Sequence, residues 1–99
     1  MSDEQGYNGW KNYPTWAVNL WIDNDQGTQS YALEIAENAL EDSHPRYEVS
    51  SQLKHWVREE IETDDASMAS DLLGYALDMV DWYEIADAYL EMAREQVTA

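Results

Sequence analysis

Two rows of carboxylates are the strongest chemical pattern in these 99 residues. Glu34, Glu37 and Glu41 stand at i, i+3 and i+7, and Glu84, Asp87, Glu91 and Glu95 repeat that spacing for one further turn. On a helix each row is a single stripe whose members rise ~4.5 to 6 Å along the axis, close to the phosphate pitch of a nucleic-acid strand. Asp64, Asp65, Asp71, Asp78 and Asp81 would extend the negative surface across a neighbouring helix. Asp and Glu total 21 against 5 Lys and Arg, a net charge of −16. A domain of this size spans on the order of 30 Å, over which duplex DNA carries roughly 18 charges. The two densities are comparable. Such charge destabilises a compact chain by self-repulsion, so something should compensate. Among the cations, Arg46, Lys54 and Arg58 gather in or beside one helix, which reads as a partly neutralised face apart from the acidic ones.

Other chemistry is weakly represented. There is no cysteine, which excludes thiolate metal sites and cysteine nucleophiles. His44 and His55 are the only histidines, and neither has a second histidine one turn away. Glu59 follows His55 by one turn and suits a solvated pair. Asp23, Asn24, Asp25 and Glu34 resemble a calcium loop, but Gly27 sits where a ligand is wanted and Thr28 where the glycine turn belongs. Ser50 and Ser51 lack a nucleophile elbow, and no glycine-rich phosphate loop is present. The expectation is a non-enzymatic chain with no metal or other cofactor.

The elements that must carry these residues read as helices. Asn12 to Asn24 is apolar nearly all round, with Pro14 at a first helical position. This predicts a buried, Trp-rich central helix over 14–24. Asn24 to Gly27 is turn chemistry, with Thr28 a candidate cap for a helix over 29–41. Val49, Leu53, Trp56 and Val57 mark a third helix over about 46–62. Thr63-Asp64-Asp65 reads as a loop and cap before a fourth helix over 67–80. Asp81-Trp82-Tyr83-Glu84 is a capping-box pattern opening a fifth helix over 82–96. The fold class is therefore all-α: one bundle of about five short helices over 12–99, with residues 1–11 an irregular tail packed on it. No apolar run approaches the ~18 residues of a membrane span, and Met1-Ser2-Asp3-Glu4 does not read as a secretory leader. A cytoplasmic setting is expected.

The aromatic inventory is five Trp, seven Tyr and no Phe. Most of these rings should pack the core with the polar tip near the surface. Trp10-x-Asn12-Tyr13-x-Thr15-Trp16-x-Val18-x-Leu20-Trp21, followed by Asn24, resembles a motif of small acidic helical proteins of phages, plasmids and haloarchaea. A second block, Trp82, Glu84, Ile85 and Ala86, resembles another segment of the same family. Pro14 stands where that pattern suggests an acidic residue. The resemblance implies a mobile-element or halophilic context, a structural role for the motif residues, and no activity.

Three functions fit the sequence. In the first, the seven stripe carboxylates act together as a nucleic-acid mimic that blocks the basic site of a host nucleic-acid-binding protein, as an antirestriction or anti-CRISPR inhibitor would. Direct nucleic-acid binding and membrane contact are excluded by the charge and hydropathy, and homo-oligomers are compatible. In the second, the acidity is adaptation to concentrated salt, where repulsion is screened over ~3 Å. In the third, Trp10, Tyr13 and Trp56 anchor an adaptor through aromatic surface.

Overall fold

The computed structural model describes residues 7–61 and 68–98. The expected loop and cap at Thr63-Asp64-Asp65, and residues 1–6 of the tail, lie outside them. Five helices follow one another: α1 (Tyr13–Asp23), α2 (Gln26–Ala39), α3 (Pro45–Ile61), α4 (Met68–Asp78) and α5 (Trp82–Thr98). No strand is present among the described residues. The all-α bundle follows from the helical periodicity.

α5 is the central element, which corrects the expectation that α1 would be. Its buried residues are Trp82, Ile85, Ala86, Tyr89, Leu90 and Ala93, a continuous three-and-four spacing. α3 packs most closely on α5, and α2 closes the core against both. α2 presents Ala32, Ile35, Ala36 and Ala39, and α3 presents Val49, Leu53 and Val57. Alanines at facing positions let α2 and α5 approach closely, since interaxial distance follows the size of the side chains between helices.

α1 instead lies at the edge of this trio. Only Thr15 and Ile22, two turns apart, are buried on it. Trp21 is 43% exposed, and Tyr13 and Leu20 are exposed as well. Two aromatic clusters explain how so apolar a helix stays outside. Tyr7, Tyr13 and Trp16 cluster in edge-on and tilted contacts with centroids 4.8 to 5.5 Å apart. Trp21 and Tyr31 both pack on Trp56, at 6.0 and 4.7 Å. Tyr and Trp suit such half-wet positions because one end of each ring is polar.

Polar contacts fix α1 at both ends. The N-cap Asn12 accepts from the Thr15 backbone N–H at 3.0 Å and from the Thr15 hydroxyl at 2.6 Å. Its side-chain amide donates to the Met79 carbonyl at 2.7 Å. The Thr15 hydroxyl in turn accepts from the Asp81 backbone N–H at 2.9 Å. At the far end the Tyr89 hydroxyl, on the buried face of α5, donates to Asp23. Burial, and then the facing Asp23 carboxylate, push that hydroxyl far above its ordinary pKa. α1 is held by hydrogen bonds to the α4–α5 joint and to α5, together with the burial of Ile22 and the two aromatic clusters.

Two local expectations change. The tail is not irregular throughout, because residues 7–10 close a tight turn. Tyr7 N–H donates to Trp10 O at 2.7 Å and Trp10 N–H to Tyr7 O at 2.8 Å. Asn8 and Gly9 between them take positive φ, 50° and 88°, as the Asn-Gly hairpin turn requires. The cap of α2 is Asp25, accepting from Gly27 N–H at 2.7 Å, and not Thr28. The Thr28 hydroxyl reaches back to the Ile22 carbonyl at 2.7 Å and ties α2 to α1.

Candidate functional site

The row on α2 is built by amphipathicity. Glu34, Glu37 and Glu41 are all exposed, the last just past the helix end. At ~100° per residue they fall roughly opposite Ala32, Ile35, Ala36 and Ala39. None of the three makes an ion pair or side-chain hydrogen bond among the described residues. They form a stripe of bare carboxylates.

The row on α5 has the same spacing and a different fate. Glu84 is half-buried and its carboxylate accepts from the Lys11 backbone N–H at 3.0 Å. Asp87 receives a two-pronged contact from Arg46 of α3, at 2.9 and 3.1 Å. The same guanidinium lies 4.8 Å over the Tyr83 ring. Glu91 and Glu95 remain exposed. Arg46 therefore does not lie on a face apart from the acidic ones, as its place in the sequence suggested. It crosses to α5 and neutralises the middle of that row.

The structure does not bring the seven carboxylates onto one surface. α2 and α5 pack together through their apolar faces, and each acidic row lies opposite its helix's apolar face. The rows look out on different sides of the bundle and do not join. Asp71 and Asp78 on α4 are exposed, and Asp78 is held by Arg58 at 2.6 Å. Asp64 and Asp65 lie outside the described residues.

The capping box at α5 is half realised. Asp81 accepts from the Glu84 backbone N–H at 3.2 Å. Glu84 does not return the bond, because the Asp81 N–H is taken by Thr15 and the Glu84 carboxylate by Lys11. Both family-like blocks thus meet at this joint: Asn12 and Thr15 from the first, Glu84 from the second. Ile85 and Trp82 are buried beside them, and Trp10 and Val18 pack against the core. Trp16 is in the tail cluster, Trp21 in the α3 cluster, and Leu20 is exposed. Asn24 closes α1, its backbone N–H donating to the Leu20 carbonyl at 2.9 Å.

Of the three proposed adaptor anchors, Tyr13 is exposed while Trp10 and Trp56 are half-buried. The larger apolar exposure lies on α4, unmarked by the sequence reading. Met68 is 78% exposed, Leu72 61% and Tyr75 67%. Beside it an apolar groove of about 240 Å³ runs between α1 and α4, lined by Tyr13, Val18, Trp21, Leu73 and Leu77. The signal was present in the sequence: Met68, Leu72, Leu73, Tyr75 and Met79 cover more of a short helix than a single buried face needs.

His55 and Glu59 pair at 2.9 Å on the surface of α3. Helix α2 starts at Gln26, so the calcium-like segment is mostly helical. No three His, Asp or Glu side chains converge on a metal-sized site among the described residues. No helix there is long and apolar enough to cross a membrane. Neither a curated protein nor a solved structure matches the chain. Residues 3–98 do match the model of a family of unknown function, DUF7249, and the chain belongs to that family.

Proposed function

We propose that this chain is a non-enzymatic binding protein whose carboxylate face occupies the basic, phosphate-receiving site of another protein. The observation that carries the reading is the bare row Glu34, Glu37 and Glu41 on α2, exposed and uncompensated. Three unpaired carboxylates at helical spacing offer a groove built for phosphates the charge it expects. The net charge of −16 adds long-range steering, which speeds encounter and makes it salt-sensitive. The docking face is assigned to α2, because Glu84 and Asp87 of the α5 row are already spent on the scaffold and Glu95 has an interaction of its own. An intracellular anti-defence setting is the context in which such blocking has evident use.

The test is displacement of a labelled DNA duplex from a panel of basic nucleic-acid-binding proteins, with the chain as competitor. Displacement is expected at low salt, fading as screening tightens toward ~3 Å at 1 M. It should be lost in Glu34→Lys/Glu37→Lys. Absence of displacement from every member of the panel, or displacement unchanged in that variant, refutes the reading.

A second reading, an interaction module working through apolar surface, is favoured by Met68, Leu72 and Tyr75 standing exposed beside the α1–α4 groove. Large exposed apolar patches mark interaction surfaces. Its occupant would be the apolar face of a partner helix laid along that groove. If Leu72→Ser/Tyr75→Ser loses duplex displacement while Glu34→Lys/Glu37→Lys keeps it, docking belongs to α4.

A further inference from the structure

Three of the five cations are engaged. Arg46 pairs with Asp87, Arg58 pairs with Asp78, and Arg94 has an interaction of its own. The two left without a side-chain partner among the described residues are Lys11 and Lys54. Both line one cleft of about 510 Å³ between α3 and the α4–α5 joint. In a chain of net charge −16, two lysines lining one cleft with no side-chain partner among the described residues are unusual.

The rest of the wall suits an anion with an organic body. Tyr47, Ser50, Ser51 and Lys54 fall at i, i+3, i+4 and i+7 on α3, a single strip facing the cleft. Ser50 is buried with its hydroxyl donating to the Tyr47 carbonyl at 2.9 Å, which leaves Ser51 as the exposed hydroxyl. Tyr47 and Tyr83 supply aromatic wall. Trp82, 8% exposed, also lines the cleft, and its buried indole N–H meets no acceptor. An unanswered N–H dipole buried behind the wall adds positive potential and is a cost that ordinary core packing would avoid. Two carboxylates are present as well. Asp78 is bound by Arg58, and Asp81 accepts from the Glu84 N–H. With the Asp78–Arg58 pair cancelling, Asp81 is the one lining carboxylate without a cation, set against two lysines, while the Glu84 carboxylate beside Lys11 is engaged by its backbone N–H. Carboxylates elsewhere are weakened by a screening length of ~8 Å at physiological salt.

We infer that this cleft binds the phosphate monoester of a small organic molecule, its oxyanion held between Lys11, Lys54 and the Ser51 hydroxyl and its body lying against Tyr47 and Tyr83. A volume of about 510 Å³ falls within the roughly 300–1,000 Å³ of small-molecule sites and exceeds what a bare ion fills. The site is independent of the α2 carboxylate face.

The experiment is an amide and indole NMR titration of the full chain with adenosine monophosphate, ribose 5-phosphate, inorganic phosphate and adenosine. The two esters should shift Ser51, Lys54 and Tyr83 amides and the Trp82 indole, saturating in the millimolar range. Lys11→Ala/Lys54→Ala should weaken the esters by about tenfold or more, as removal of two charge-assisted contacts predicts. That variant keeps the fold, because Lys54 is exposed and Lys11 holds Glu84 through its backbone N–H; a thermal melt checks this. Shifts that are absent, spread over the molecule, or undiminished in the double variant overturn the site. Adenosine binding as well as its monophosphate overturns the oxyanion role, and inorganic phosphate matching both esters overturns the organic body.

Discussion

Helices α2 and α5 carry the same acidic spacing and do opposite things with it. On α2 the row Glu34, Glu37 and Glu41 stands bare. On α5, Glu84 is consumed by the tail through Lys11 and Asp87 by α3 through Arg46. A three-and-four spacing guarantees that side chains share a face. It does not guarantee that the face is free, because that depends on which cations and backbone donors the fold brings opposite. α5 is central, so its flanks meet neighbours on several sides. α2 closes one side of the core and leaves its outer face to water.

The largest expected effect tests that difference in a partner. Glu34→Lys/Glu37→Lys should weaken capture of a basic nucleic-acid-binding protein about 100-fold at low salt, ~2.7 kcal/mol. Glu91→Lys/Glu95→Lys changes the net charge equally and should cost about tenfold or less. Equal losses in a competition assay would mean that total charge, and not the α2 face, governs binding.

Next comes the joint that commits α5's first turn to the scaffold. Thr15→Val keeps shape but removes the hydroxyl that bonds Asn12 and the Asp81 N–H. Thr15 is fully buried, so the stranded partners should destabilise the fold by about 2 kcal/mol. Denaturant unfolding measures it; a loss under about 0.5 kcal/mol would make the joint ornamental.

A smaller effect appears at alkaline pH. Tyr89 has its folded pKa raised by burial and then by Asp23. Its contribution is therefore complete below the unfolded tyrosine value of about 10 and declines as pH climbs above it. Wild type should lose stability above about pH 10 more steeply than Tyr89→Phe. Parallel curves for the two proteins would contradict the assignment.

The smallest concerns the Arg46–Asp87 pair, whose side chains are both about half exposed. Arg46→Ala should cost no more than about 1 kcal/mol, since solvent screens such pairs. It also frees Asp87 and should make the α5 row resemble that of α2. If Arg46→Ala improves partner capture through α5, the contrast between the two helices is one of neutralisation alone.

Much of the fold was legible in residues. The five helices, the breaks near Gly27 and Pro45, and the Asp81 cap follow from periodicity and turn chemistry. The His55–Glu59 pair follows from one-turn spacing. The Asn8-Gly9 turn is also legible, because that dipeptide tolerates positive φ. The choice of central helix was not. Counting apolar residues favours α1, whereas the core favours α5, whose Ala86 and Ala93 contribute little hydrophobicity and much proximity.

By itself the sequence determined local conformation and the sign of the surface, since both depend on neighbours within a turn or two and on simple charge totals. The tertiary structure alone decided which carboxylates stay bare, that Arg46 crosses to Asp87, and that Lys11 and Lys54 share a cleft. Those outcomes join residues more than forty positions apart in the chain, as Lys11 and Lys54 are. No periodicity encodes them, because they arise from which helix faces pack together.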